Sequence, residues 1–324
     1  MKTQRVPALL LGAAALAALV IFAGARSVDQ ALVRVGLAGL AGVALIRLGA
    51  VATCGWAWYL IGAQLDGAQP WKFIWARYLR DTTAEVLPFS QLGGLAAGVR
   101  ALNLAGMAPL PASAALLADL LIEQLVKIPY VLAGAAVLLL VGARGSPARL
   151  VAAALLPPLA LILAALIARQ CGSGWLERAL GHLARRWPVL ETHRPQALRA
   201  LLGPLLRSAR RSAAVAAHGA GWLLGAVQIW FACRLMGLAV GPAQALIVDS
   251  LLCGLRTVGF MVPAALGIQE AGAVLVCALV GVPAAPAVAL SLLRRLSDLA
   301  LGAPALGVWP WIEGRRAFAR LAQK

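Results

Sequence analysis

Apolar positions run through this chain in long unbroken stretches rather than in alternation. The stretches 7–24, 37–63, 111–142, 148–168, 213–238 and 286–312 are Ala/Leu-rich. They approach or exceed the roughly 20 residues that a membrane-spanning helix needs. Lipid satisfies no backbone hydrogen bonds, so only helices and closed barrels cross it, and the period-two pattern of barrel strands is missing. The pattern predicts an all-α fold: a polytopic helical membrane protein forming a single integral membrane domain over 1–324. Pro129 within 111–142 predicts a kink or tilt there. Two further segments, 70–108 and 243–282, are apolar but broken by Pro and Gly.

The broken segments occupy matching places. Adding 175 to a residue number carries Pro88 onto Pro263 and Pro111 onto Pro286. The same shift carries Gly62 onto Gly237, Gly106 onto Gly281 and Glu123 onto Asp298. Repeats are therefore expected over 37–142 and 213–312, each holding a broken segment that either re-enters as a hairpin or crosses twice. Paired interruptions of this kind point to a transporter site near the bilayer midplane. Chance matching in a chain rich in Ala, Leu, Gly and Pro is the competing explanation.

Charge orients the picture. The 324 residues carry 29 Lys and Arg against 12 Asp and Glu, a net +17. The excess gathers in 169–211, which holds nine Arg from Arg169 to Arg211, and at Lys2, Arg5, Arg315, Arg316, Arg320 and Lys324. The positive-inside rule makes 169–211 a basic cytoplasmic loop, with amphipathic helices lying on the membrane, and places both termini in the cytoplasm. A bacterial inner membrane is the expected location. Threading the helices from an inside N-terminus gives the two repeats opposite orientations, an inverted topology. Anionic lipid accounts for the basic residues; no aromatic-interleaved patch suggests nucleic acid. The N-terminal run ending in Ala23-Gly24-Ala25 reads as an uncleaved first helix or as a signal peptide. Cys54, Cys171, Cys233, Cys253 and Cys277 are scattered, as expected of small core residues.

Intramembrane ionisable residues are costly and point to a bundle interior or a wet cavity. Asp119, Glu123 and Lys127 share one helix face, and Arg294, Arg295 and Asp298 fill the matching stretch. The expectation is a charge cluster of Asp119, Glu123, Arg294 and Asp298 in which the acids neutralise Arg294 or Arg295. It would either stabilise the repeats or couple them to transport. At the helix breaks after Pro88 and Pro263, Gly93, Gly94 and Gly267 permit sharp turns, and Gln91, Gln269 and Glu270 supply polar groups. Arg80, Arg100 and Arg256 are the nearby cations suited to a lipid phosphate. A purely structural kink is the alternative.

The stretch Leu87-Pro88-x-x-Gln91-Leu92-Gly93-Gly94 with Arg100, together with Pro263…Gly267-x-x-Glu270, resembles the lysylphosphatidylglycerol synthase transmembrane-region family, also described as flippase-like. The first motif, in an Ala/Arg-rich chain, is most similar to the hopanoid-biosynthesis-associated branch. Ala264 and Ala265 stand where that family often has glycines, which bears on the backbone path after Pro263. The full synthases add a soluble aminoacyl-transferase domain after the membrane region; this sequence has none, so lysyl transfer is not expected.

No P-loop, nucleophile elbow or metal-ligand spacing occurs, and no cofactor or metal is expected. The resemblance and the breaks together imply a lipid transporter or flippase-like protein, not an enzyme, with anionic or hopanoid membrane lipids as partners. Self-association and lipid-biosynthesis proteins remain further partner classes. The alternative is an integral-membrane lipid-modifying enzyme using Asp81 or Glu85, or an assembly partner in hopanoid tailoring.

Overall fold

A computed structural model describes residues 18, 20–86, 90–141, 195–258 and 268–321. After a short helical stretch at 20–23, nine helices follow in these segments, with no strand among the described residues: α1 (Ala25–Gly62), α2 (Pro70–Val86), α3 (Ser90–Leu104), α4 (Pro109–Val141), α5 (Pro195–Leu206), α6 (Arg211–Leu235), α7 (Pro242–Val258), α8 (Ile268–Ala278) and α9 (Ala284–Leu321). Three of them, α1, α4 and α6, are long and apolar enough to cross a membrane. The chain is an all-α membrane protein. The expected spans 37–63, 111–142, 213–238 and 286–312 coincide with α1, α4, α6 and α9 to within a few residues at most starts. The span at 148–168 and most of 7–24 lie outside the described residues, as does most of the basic loop 169–211.

Helix α1 is two helices joined at Gly36, where φ 60 and ψ −178 break the ladder. Its second part, 37–62, packs antiparallel on α6. Glycines make this approach close: a Cβ on Gly42 would sit 2.8 Å from Phe231, and one on Gly221 would sit 2.5 Å from the Cys54 sulfur. Gln228 donates to the Val43 carbonyl across the same seam. Small residues at helix contacts are what lipid requires, since apolar burial gives little drive between membrane helices.

Both broken segments form helical hairpins. In the first, Gly94 and Gly98 of α3 face Arg80–Ala84 and Ala76–Arg80 of α2, so the helices run antiparallel. In the second, Gln269 meets Arg256 and Gly272 meets Leu252 and Leu255, which makes α7 and α8 antiparallel as well. With 17, 15, 17 and 11 residues, these helices are about 17–26 Å long, shorter than a full span. Each hairpin is followed by a glycine in the left-handed region, Gly106 (φ 92) and Gly281 (φ 81). Three residues later in each case a long helix starts, α4 or α9.

Packing follows the same pairing in both halves. Exchanging α1–α4 for α6–α9 leaves the principal helix contacts unchanged: α1 on α2 and α9 corresponds to α6 on α7 and α4. Helix α5, inside the basic segment 169–211, docks on the bundle. Its Leu198, Leu202 and Leu205 are buried against Ile61, Ala114, Ala118 and Ile122.

Candidate functional site

The hairpins carry charge into the centre of the bundle, where it is gathered into two ionic groups. The first lies between α2 and α4. Arg77 and Arg80 are three apart on α2, so both guanidiniums reach the same face. Glu123 accepts from Arg77 Nη2 at 2.9 Å and from Arg80 Nη2 at 2.8 Å. Asp119 accepts from Arg80 Nη1 at 2.9 Å, and its other oxygen lies 3.0 Å from His218 Nε2 on α6. Asp81 takes the remaining Arg77 Nε at 3.0 Å. Asp119 and His218 are fully buried. Two forked guanidiniums laid across two carboxylates satisfy nearly every polar atom, the condition under which a buried ionic network is tolerated. His218 Nδ1 is left without a hydrogen-bond partner.

The second group joins α1, α2, α7, α8 and α9. Arg294 contacts Asp249 at 3.2 Å, and the Tyr130 hydroxyl donates to the same carboxylate at 2.9 Å. Arg295 donates twice to one oxygen of Glu270, at 2.6 and 3.1 Å. Arg47 Nε contacts Asp298 at 2.9 Å. Arg256, near the end of α7, lies 3.5 Å from Glu85, near the end of α2, and donates to Gln269 at 3.3 Å. The last stretches of the two hairpins' leading helices therefore meet. Arg47, Arg256 and Arg294 are within Coulombic range of one another. Unlike the first group, this one is open: Arg256 is 32% and Glu85 22% accessible.

The two groups are related. Arg77 on α2 corresponds to Asp249 on α7, and Asp119 on α4 to Arg294 on α9. The Arg77–Asp119 contact of 3.5 Å thus has a counterpart of reversed polarity in the Asp249–Arg294 contact of 3.2 Å. The expectation that Asp119 and Glu123 neutralise Arg294 or Arg295 is corrected. The two acids are held by Arg77 and Arg80, while Arg294 and Arg295 find Asp249 and Glu270. Each hairpin brings its own counter-charge to the long helix that follows it, so the acids are already satisfied within their half. Asp298 stands apart, paired with Arg47 of α1.

The other expected site residues separate into three kinds. Arg256, Gln269 and Glu270 come together in the open group. Arg80 is buried in the closed group, and Gly94 is a packing residue, since a Cβ there would lie 2.5 Å from the Arg80 carbonyl. Gly93 has open space, and Arg100 is exposed on α3, about 15 Å along the helix from Ser90. Pro88, Pro263 and Gly267 lie outside the described residues, as does the side chain of Gln91. Four residues central to the site, Arg77, His218, Asp249 and Tyr130, carried no functional expectation. A spacing signal for the first existed: Arg77, Arg80 and Asp81 fall at i, i+3 and i+4 on α2.

Among the described residues no group of three His, Cys, Asp or Glu is arranged to hold a metal ion. Cys54, Cys233, Cys253 and Cys277 are buried, while Cys171 lies outside the described residues. Such a site can bind and exchange charged groups. Comparison with curated proteins and with solved structures gives no match. The sequence that builds this bundle, residues 8–305, matches the lysylphosphatidylglycerol synthase TM region, and the chain belongs to that family of lipid-related membrane proteins.

Proposed function

We propose that the chain is a bacterial inner-membrane lipid transporter of flippase type, with α1–α4 and α6–α9 acting as inverted-topology repeats around one headgroup site. The observation that carries this reading is the open ionic group where the hairpins meet, above all the partly exposed Arg256–Glu85 pair. Charges at membrane depth persist where they line a wet cavity that admits a polar cargo. Helices shorter than a full span converging on a charged group are the transporter arrangement of broken helices. The antiparallel packing of the equivalent helices α1 and α6 supports opposite orientations of the repeats. Basic residues near both termini and in 169–211 support a cytoplasmic location for them. A phospholipid or a hopanoid-linked lipid is the cargo suggested by the resemblance of the first motif.

The test is leaflet exchange in reconstituted vesicles. Acyl-chain-labelled phospholipid on the inner leaflet should become accessible to an external quencher faster than in protein-free vesicles. Arg256→Gln should slow that exchange about tenfold, the worth of one partly screened charge contact. Vesicles containing purified protein that exchange no faster than empty ones would refute transport. Chemical alteration of the lipid in the same vesicles would favour the membrane-enzyme reading instead.

A further inference from the structure

The open group holds four guanidiniums, Arg47, Arg256, Arg294 and Arg295, and four carboxylates, Glu85, Asp249, Glu270 and Asp298. Its formal charge is zero. Residues 87–89 and 259–267, which connect the hairpin helices, contain no ionisable side chain, so they add nothing to this count. A neutral group of eight charges is unexpected in a chain of net +17 if its task is to hold an anion. An anion site would show an excess of guanidinium.

The four pairs are not equally committed. Arg295 donates two hydrogen bonds to Glu270, one of them at 2.6 Å. Asp249 is held by both Arg294 and Tyr130. Arg47 and Asp298 meet at 2.9 Å. Arg256 and Glu85 are the farthest apart of the four, at 3.5 Å, and the most accessible. Arg256 also donates to the neutral Gln269. This pair is also an ionic link between the two hairpins.

We propose that the ligand of this site is a lipid headgroup of net zero charge bearing both an anionic and an ammonium group, which enters by exchanging partners with the Arg256–Glu85 pair. The anionic group goes to Arg256, with Arg47 next to it, and the ammonium goes to Glu85. Both side chains then stay compensated. A purely anionic headgroup would take Arg256 and leave Glu85 without its counter-ion, whereas a zwitterion compensates both. Insertion also removes the link between α2 and α7, so occupancy and separation of the hairpins become one event.

This inference rests on the reading of the site as a headgroup site, but its test requires no transport. Purified protein is equilibrated with equimolar phosphatidylethanolamine and phosphatidylglycerol in mixed micelles, and bound lipid is counted by native mass spectrometry. The wild type should retain the zwitterionic lipid over the anionic one. Glu85→Gln leaves the site at +1 and should move the ratio about tenfold toward phosphatidylglycerol. The exchange Glu85→Arg with Arg256→Glu keeps the count at zero and should keep the wild-type preference. If Glu85→Gln does not fold, Arg256→Gln, at −1, should move the ratio the opposite way. A wild type that prefers phosphatidylglycerol, or single variants with an unchanged ratio, would overturn the inference. Protein that fails in the vesicle assay yet keeps the zwitterion preference would refute transport alone. Protein that moves lipid but prefers phosphatidylglycerol would refute this inference alone.

Discussion

Glu123 sits where removal of one negative charge should be felt most. Its two oxygens take contacts at 2.8, 2.9 and 3.1 Å from two guanidiniums, and its side chain is 4% accessible. Glu123→Gln keeps the shape but gives Arg77 and Arg80 an amide in place of a carboxylate. Breaking a buried pair by neutralising one partner costs about 3–5 kcal/mol. At about 2.1 cal/mol/K of unfolding entropy per residue, a chain of 324 residues should then fall in melting temperature by roughly 4–7 °C. Glu85→Gln removes the same charge from the open group, where solvent screens the pair, and should cost about 0–1 kcal/mol, or less than about 2 °C. The two variants differ by one position in the bundle and by nothing in chemistry. Thermal unfolding in detergent, followed by intrinsic fluorescence of the 10 tryptophans, reads both shifts. Equal shifts, or a Glu123→Gln protein within a few degrees of wild type, would refute the assignment of the closed group to structure and the open group to binding.

Two neighbouring glycines give a second test. Gly94→Ala places a Cβ 2.5 Å from the Arg80 carbonyl and should cost about 1–3 kcal/mol, whereas Gly93→Ala enters open space and should be neutral or stabilise by up to about 1 kcal/mol. The same melting measurement separates them, and similar effects would contradict the close α2–α3 packing. Topology gives a third. A fluorescent protein that matures only in the cytoplasm, fused after Lys324, should be bright, while an alkaline phosphatase fusion there, active only outside, should be inactive. The opposite result would reverse the proposed orientation.

Much of the architecture is legible in the sequence because lipid enforces length and apolarity. Helices α4 and α9 start at Pro109 and Ala284, 175 apart, and the left-handed glycines Gly106 and Gly281 keep the same shift. The ion pairs were not legible, and the reason is a loop. Between Gly62 and α2 lie residues 63–69, while only 238–241 separate Gly237 from α7. The leading hairpin helices α2 and α7 are therefore related by 172, not 175. At a uniform shift Arg77 falls on Leu252 and carries no message; at its own shift it falls on Asp249. The kink at Gly36 was concealed for another reason: both sides of it are apolar and helical, and only the left-handed φ marks the break.

Counting Lys127 with the two ionic groups, and histidine as neutral, seven of the 29 basic and seven of the 12 acidic residues lie together in the core of the bundle. Among the described residues this core therefore sums to zero. Moving one elementary charge through the membrane potential costs or yields about 2.3 kcal/mol per 100 mV. A core that sums to zero can shift as a body through that field without electrical work, and a zwitterion carried with it adds none. Displacement of that set as one body should therefore be indifferent to whether the membrane is energised.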